Sequence, residues 1–351
     1  MSALADRLHD EIRSGGPMPV SRFVERCLYD PDGGFYAEAG RAGRRGDFLT
    51  AVEVGPLFGA VLSRAIDQWW VARGSPPRFV VADYGAGPGT LARAVFAAEG
   101  ECQQAGALQW VMIERSASQR SVHPVGPQLT SVADDDELTH VDVGFANELL
   151  DNLPFDVVAF RNGQWVERLV DGVDGRFVLC DGSPSPAPLG ITADPVPEGV
   201  ELPRPVGVDR WLADQRERFP DSALVLCDYM ATTAELVGRN GGWLRTFRGH
   251  GSGPDWFAEP GANDITIDVP REHIEAHQPD EIIDQAAFLR RYGIDHLVEE
   301  GRRIWQDRAG VGDLAALRAR SRISEAEALL DLDGMGSFQV AMWQPVDRRV
   351  R

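Results

Sequence analysis

The chain has no lysine, and all 35 of its basic residues are arginine. That absence excludes every chemistry that needs an amine side chain: Schiff-base catalysis, a pyridoxal phosphate site, and a phosphate loop built around lysine. Cysteine is scarce too. Cys27, Cys102, Cys180 and Cys227 are far apart and form no CxxC pair. Neither a disulfide framework nor a structural zinc site is expected, and a reducing, cytoplasmic setting fits. No metal is expected elsewhere. His273 and His277 stand four residues apart, but the acid between them, Glu275, is not beside the first histidine, so the HExxH arrangement is missing and the pair reads as a solvated helix face. No run approaches the roughly 18 uncharged apolar residues of a membrane span. The opening MSALADRLHDEIRSGG is charged throughout, unlike a signal or transit peptide. Basic charge is outweighed by 54 acidic residues, giving a net charge of −19. Such a chain repels phosphate backbones, so a nucleic-acid partner is not expected.

What is present is ordinary globular material, 43% hydrophobic and 25% charged over 351 residues. At about 150 residues per domain, that length suits two domains or one large domain with insertions. Leu4, Leu8 and Ile12, then Val20, Phe23, Val24 and Cys27, recur at helical spacing. Gly33 to Asp47 is rich in glycine and charge and reads as loop, and a helix is expected over about 55–70. Four short apolar runs end in an acid or an acid–tyrosine pair: FVVADY (79–84), QWVMIE (109–114), VDVGFANE (141–148) and ALVLCDY (223–229). Runs of this kind, separated by helical stretches, predict a doubly wound α/β sheet of mostly parallel strands. In that fold ligands bind beyond the carboxyl ends of the strands. Asn162-Gly163, flanked by alternating residues over 157–179, predicts a hairpin, with a second turn at Asp174-Gly175. The proline-rich stretch 183–205 reads as an irregular crossing loop, and 270–332 as mostly helical before a last strand at 338–343.

The strongest local signal is Asp83-Tyr84-Gly85-Ala86-Gly87-Pro88-Gly89-Thr90, directly after the first of those strands. The glycines permit a sharp turn and let a ligand approach the backbone. A dinucleotide fingerprint would carry its third glycine where Thr90 stands. An acid ahead of G-x-G-x-G instead suits a cationic ligand without phosphate, such as S-adenosylmethionine, with Asp83 near its methionine end. Glu114, ending the second run, is placed to accept ribose hydroxyls. Asn147-Glu148, with Asp151 close behind, stands at the end of the third run. Carboxylates there can orient an amine-like nucleophile and accept its proton. An ordinary capped helix start is the alternative.

Taken together these motifs resemble the MidA-like methyltransferases, a family that includes a mitochondrial complex I assembly factor acting as a protein arginine methyltransferase. The resemblance runs over nearly the whole chain. It rests on Gly16-Pro17 and FVERCLYDPDGGFY (23–36), on Gly46-Asp47-Phe48-Leu49-Thr50, and on Glu53 with Phe58-Gly59. The loop Asp83 to Thr90, Asn147-Glu148 with Asp151 and Pro154, and Asp228-Tyr229 continue it. Leu244-Arg245 with His250, Asp264-Ile265-Thr266, and Met335-Gly336 with Phe338 complete it. The chain departs from the family at Val52, Gly55, Met230, Gln339 and the segment Ile267 to Arg271.

The resemblance implies a class I methyltransferase fold with a helical cap, S-adenosylmethionine as methyl donor, and Phe48 and Thr50 folding over it. The expected cofactor residues are Phe48, Thr50, Glu53, Asp83, Gly85, Ala86, Gly87, Gly89, Leu91, Glu114, Arg115 and Asn147. Glu148 and Asp151 are the expected catalytic pair. Asp134 to Asp136 are a solvated turn or an adenine contact; Trp243 and Trp256 are packing residues or the wall of an acceptor cleft. The expected organisation is an N-terminal cap over 1–70, a core over 71–260 and a helical substrate-side segment over 261–351. The expected partner is a methyl acceptor, with a homodimer as an open alternative. Arginine methylation is the leading function. Methylation of a small molecule, and a non-catalytic assembly factor that binds the methyl donor, stand beside it.

Overall fold

The structure, a computed structural model, describes residues 2–37, 50–192, 195–239, 241–248, 251–252, 255–308 and 313–345. The chain divides into two compact units, each drawn from three segments. One comprises Met1–Phe48, Glu148–Pro220 and Asp228–Pro279; the other comprises Leu49–Asn147, Asp221–Cys227 and Asp280–Arg351.

The second of these is built on a seven-stranded sheet. In chain order its strands are Phe79–Tyr84, Leu108–Ile113, Leu129–Val132, Val143–Asn147, Ala223–Asp228, Glu281–Asp284 and Gln339–Trp343. Across the sheet they run sixth, seventh, fifth, fourth, first, second, third. The first five are parallel to their neighbours among themselves, and the last two pair antiparallel. All six residues of Phe79–Tyr84 are buried, as a strand covered on both faces requires. From that strand the chain winds outward one way through the second and third, and from the fourth it winds the other way. The first and fourth strands therefore flank the topological switch point, where such sheets bind ligands.

Helix Pro56–Ala72 starts with proline at its first turn. Glu325 supplies the missing cap by accepting the Leu57 N–H at 2.8 Å. Gly59 lets this helix lie against helix Thr90–Ala97: a Cβ there would sit 2.4 Å from that of Ala94. The helical expectation for 270–332 holds at Arg271–Ala276, Gln285–Arg291, Ile294–Arg308 and Leu314–Leu330. It fails at Glu281–Asp284, a strand of four residues too short to show a period.

The first unit holds a five-stranded antiparallel sheet. Asn162 and Gly163 both have positive φ, as do Asp174 and Gly175, so two primed turns link Asp156–Arg161, Gln164–Val173 and Arg176–Pro184. The expectation that 183–205 is wholly irregular is corrected by Glu201–Arg204, which pairs antiparallel with Asp156–Ala159. This strand takes a sheet edge, where Pro203 can sit without an N–H to give. Helices Ala3–Gly15 and Val20–Tyr29 bury Leu4, Leu8, Ile12, Phe23 and Cys27 in the core of the same unit. Phe23 meets Phe177 edge-on at 5.1 Å, and Trp256 stacks on Phe257 at 4.1 Å. Trp243 is a packing residue: it is buried, and its indole N–H donates to the Glu201 carbonyl at 2.7 Å. Among the described residues no helix is long and apolar enough to cross a membrane.

Candidate functional site

The glycine loop lies in the seven-stranded unit, at the carboxyl end of Phe79–Tyr84. Gly85, Gly87 and Gly89 have φ of 69°, 53° and 77°, a region closed to most side chains. The loop is tied down from both sides. Gly85 and Ala86 N–H donate to the Ile113 carbonyl at 2.9 and 3.1 Å. Gly87 N–H donates to Glu114 Oε2 at 3.0 Å, while Glu114 Oε1 accepts the Ser116 N–H at 2.7 Å. Glu114 is thus first a brace for the loop, with one further lone pair on each oxygen left for a ligand. Burial raises its pKa above the ordinary value, against those two N–H donors. A Cβ at Gly89 would come within 2.7 Å of Pro124, whereas the position a Cβ would take at Gly87 is open to 4 Å. Helix Thr90–Ala97 follows, and its N-cap, Gly89, offers it no side-chain hydrogen bond. Uncapped N–H groups there favour an anionic group such as a carboxylate.

Asp83 is buried at 3% exposure, and one of its oxygens accepts the Trp110 indole N–H at 3.2 Å. Burial pushes its pKa from 3.8 to about 8, with Glu114 adding to the rise. A carboxyl in that state gains greatly from a cation placed beside it.

A second cluster of acids lies in the other unit. Asp228 is buried; its Oδ2 accepts the N–H of Leu149 at 3.0 Å and of Leu150 at 2.7 Å, and its Oδ1 that of Tyr229 at 2.9 Å. Burial raises its pKa to about 7 despite these donors. Asp264 Oδ1 accepts from the Tyr36 hydroxyl, the Asn152 amide and the Ile265 N–H, at 3.0, 3.0 and 3.1 Å. Asp151, 4% exposed, is poorer: its buried Oδ1 has no hydrogen-bond partner among the described residues. Burial drives its pKa well up, and Asp228, Asp264 and Glu148 drive it further, while Arg245 opposes them. Glu148 holds a positive φ of 52°, a costly backbone for glutamate. Arg245 lies 4.8 Å over the Tyr229 ring and pairs with Asp268 at 2.6 Å.

The remaining expected site residues fall as follows. Phe48 lies outside the described residues. Thr50 precedes the short turn Ala51–Glu53, and Glu53 is buried. Leu91 is buried in the helix after the loop, Arg115 is exposed beyond Glu114, and Asn147 ends the fourth strand opposite Cys227. Asp134 accepts the Asp136 N–H in an exposed turn. His273 and His277 both reach Asp209, at 2.9 and 3.4 Å; the expected solvated face is thus a hydrogen-bonded join, with His273 buried. These hydrogen bonds and charges hold the Asp209 pKa down at about 2, against the opposing effect of burial. Sequence reasoning missed Trp110, Arg93, His123 and Asn152. Each has a partner at least 27 positions away in the chain, Asp83 for Trp110, Val122 for Arg93, Gly87 for His123 and Asp264 for Asn152, so no spacing could reveal those bonds.

A family of S-adenosyl-L-methionine-dependent methyltransferases matches residues 61–281. The chain belongs to that family. The methyltransferase is similar to the mitochondrial protein arginine methyltransferase NDUFAF7 homolog of Drosophila melanogaster. The two are 28% identical over 309 residues, 76% of this chain and 68% of that one. It is also similar to NDUFAF7 of Mus musculus, with 27% identity over 325 residues, 81% and 73% of the two chains. A Burkholderia thailandensis protein solved with bound S-adenosylhomocysteine superposes with a TM-score of 0.81. Its identity is 27%, covering 97% of this chain and 91% of that one. The MidA-like resemblance, the α/β methyltransferase fold and S-adenosylmethionine as methyl donor rest on these matches. The loop fits that compound on its own geometry: a buried acid short of a cation, an uncapped helix start, and open space at Gly87.

Proposed function

We propose that this methyltransferase modifies an arginine side chain of a protein. The observation that carries the reading is Asp151, a buried carboxyl with an unpartnered oxygen among three further acids. A guanidinium offers five N–H groups in a fork and a charge that such a cluster lacks. The arginine activity named for the Drosophila and mouse relatives supports the same choice.

When bound, S-adenosylmethionine supplies a methyl group on a sulfonium that is already a good leaving group. The protein has to bind, align and take up a proton. Asp83 would face the ammonium, the uncapped start of Thr90–Ala97 the carboxylate, and Glu114 the ribose hydroxyls. Phe48, Thr50 and Glu53 would cover the methyl donor, with Ala86, Leu91, Arg115 and Asn147 completing its surroundings. Glu148 and Asp151 would grip the guanidinium. The nitrogen that gains a methyl must lose a proton, and a carboxylate with a raised pKa is suited to accept it.

The test is a native lysate incubated with isotopically labelled methyl donor, followed by mass spectrometry. Labelled methylarginine in a protein, formed by the wild type and lost with Asp151→Asn, is the expected result. Label found only in small molecules would favour the second reading. The altered segment Ile267–Arg271 motivates that reading, since it lies next to the matched Asp264-Ile265-Thr266. Label nowhere, together with intact binding of the methyl donor, would leave a non-catalytic assembly role.

A further inference from the structure

The glycine loop is held through a residue that no motif pointed to. His123 is 8% exposed and sits between the loop and the third strand. Its Nε2 lies 2.7 Å from the Gly87 carbonyl oxygen, and its Nδ1 lies 2.8 Å from the Ser131 hydroxyl. A carbonyl oxygen can only accept, so Nε2 must carry the proton. Nδ1 then accepts from Ser131. Burial lowers the His123 pKa against the bond to the Gly87 carbonyl, and the nearby Arg93 and Arg120 lower it further, which favours the neutral ring.

Gly87 is therefore gripped at both ends of one residue, its N–H by Glu114 and its C=O by His123. Arg93 adds a third tie, donating to the Pro88 carbonyl at 2.7 Å and also to the Val122 carbonyl. Together they clamp the turn 120–124 onto the loop while leaving the face of Gly87 open. Gly87 needs this restraint. Glycine loses more freedom on ordering than any other residue, and a loop that orders only on binding weakens affinity by that amount.

We propose that His123 is a positioning residue for the methyl donor: through the Gly87 carbonyl it presets the loop in its binding conformation. The inference rests on the reading that the methyl donor lies on Gly85–Gly89. The test is calorimetry of the full-length protein with S-adenosylhomocysteine, for wild type, His123→Ala, His123→Gln, His123→Asn and Gly87→Val. His123→Ala should weaken binding about tenfold, the usual scale for losing one well-placed bond to a buried group. His123→Gln should recover to within about threefold, because its amide N–H reaches where Nε2 stood. His123→Asn should not recover, since its shorter amide falls at the Nδ1 position. A role confined to stability would lower the melting midpoint and leave the dissociation constant of the folded fraction unchanged.

An unchanged constant for His123→Ala, or a glutamine variant as weak as the alanine one, overturns the proposal. If no alanine variant folds, the long-range 15N–1H spectrum of the wild type decides. A protonated Nε2 and bare Nδ1 are expected, and the reverse tautomer overturns the assignment. Failure here is distinguishable from failure of the parent reading. Wild type that binds, with Gly87→Val that does not and His123→Ala that does, refutes only the role of His123. Gly87→Val binding as well as wild type refutes the loop as the site.

Discussion

The two acid-bearing regions differ in how their carboxyl groups are satisfied. Around the glycine loop, Glu114 has a backbone N–H on each oxygen and Asp83 has the Trp110 indole. In the other unit, Asp228 accepts on both oxygens and Asp264 accepts three donors on Oδ1, whereas the buried Oδ1 of Asp151 has no partner among the described residues. In the first region the acids hold the shape of the loop, and Asp83 remains an acid that gains from a cation. The second keeps one group in want of a donor. Buried polar atoms without partners cost on the order of 1–3 kcal/mol, so such an arrangement marks a place where something else completes the bonding. The contrast predicts separable functions: damage to the loop should cost binding of the methyl donor, and damage to the acid cluster should cost turnover.

The largest effect is expected at Asp151. Asp151→Asn should lower kcat by roughly 100- to 1,000-fold, the scale of a lost proton acceptor, with calorimetric affinity for the methyl donor unchanged. A parallel loss of that affinity would erase the proposed division. Gly87→Val comes next. Its φ of 53° is strained for valine and its side chain would fill the open face, so binding should weaken by about 100-fold.

The third effect is one of pH. The Asp83 pKa near 8 means that binding a cation beside it must first expel a proton, so affinity for the methyl donor should rise about fivefold from pH 7 to pH 8. Asp83→Asn should flatten that rise. Stability runs the other way. The pKa is raised on folding, so this contribution is fully present below about pH 4 and is lost as pH climbs through 8, which chemical denaturation at several pH values would detect. The smallest effect is expected from Glu325→Ala. It removes the cap on Leu57 and should cost about 1 kcal/mol in denaturant titration while sparing both regions' chemistry.

Much of the sheet was legible because its strands are buried on both faces. FVVADY and ALVLCDY announce themselves as unbroken apolar runs, and their terminal acids lie at the carboxyl ends of their strands. The strands Glu281–Asp284 and Glu201–Arg204 were not legible. Four residues cannot display a period, and a proline inside the second argues against a strand until its edge position is known. The acids of the site were legible as residue types at the right places. Their bonding was not: nothing local says that Glu114 braces Gly87, that His123 holds the same residue from the other side, or that Asp151 Oδ1 has no partner among the described residues. Those facts depend on contacts between residues brought together only by the fold.

The seventh strand carries a consequence for how the protein is made. Gln339–Trp343 does not lie at the rim of its sheet but in the interior, with Ala223–Asp228 on one flank and Glu281–Asp284 on the other. A chain leaving the ribosome must therefore hold a gap there until Gln339–Trp343 has emerged, long after the other six strands. Until then two strands expose unsatisfied ladder edges, the surface on which nascent chains stick to one another. Translation that stalls before Gln339 should leave a species that aggregates rather than one that lacks only a tail.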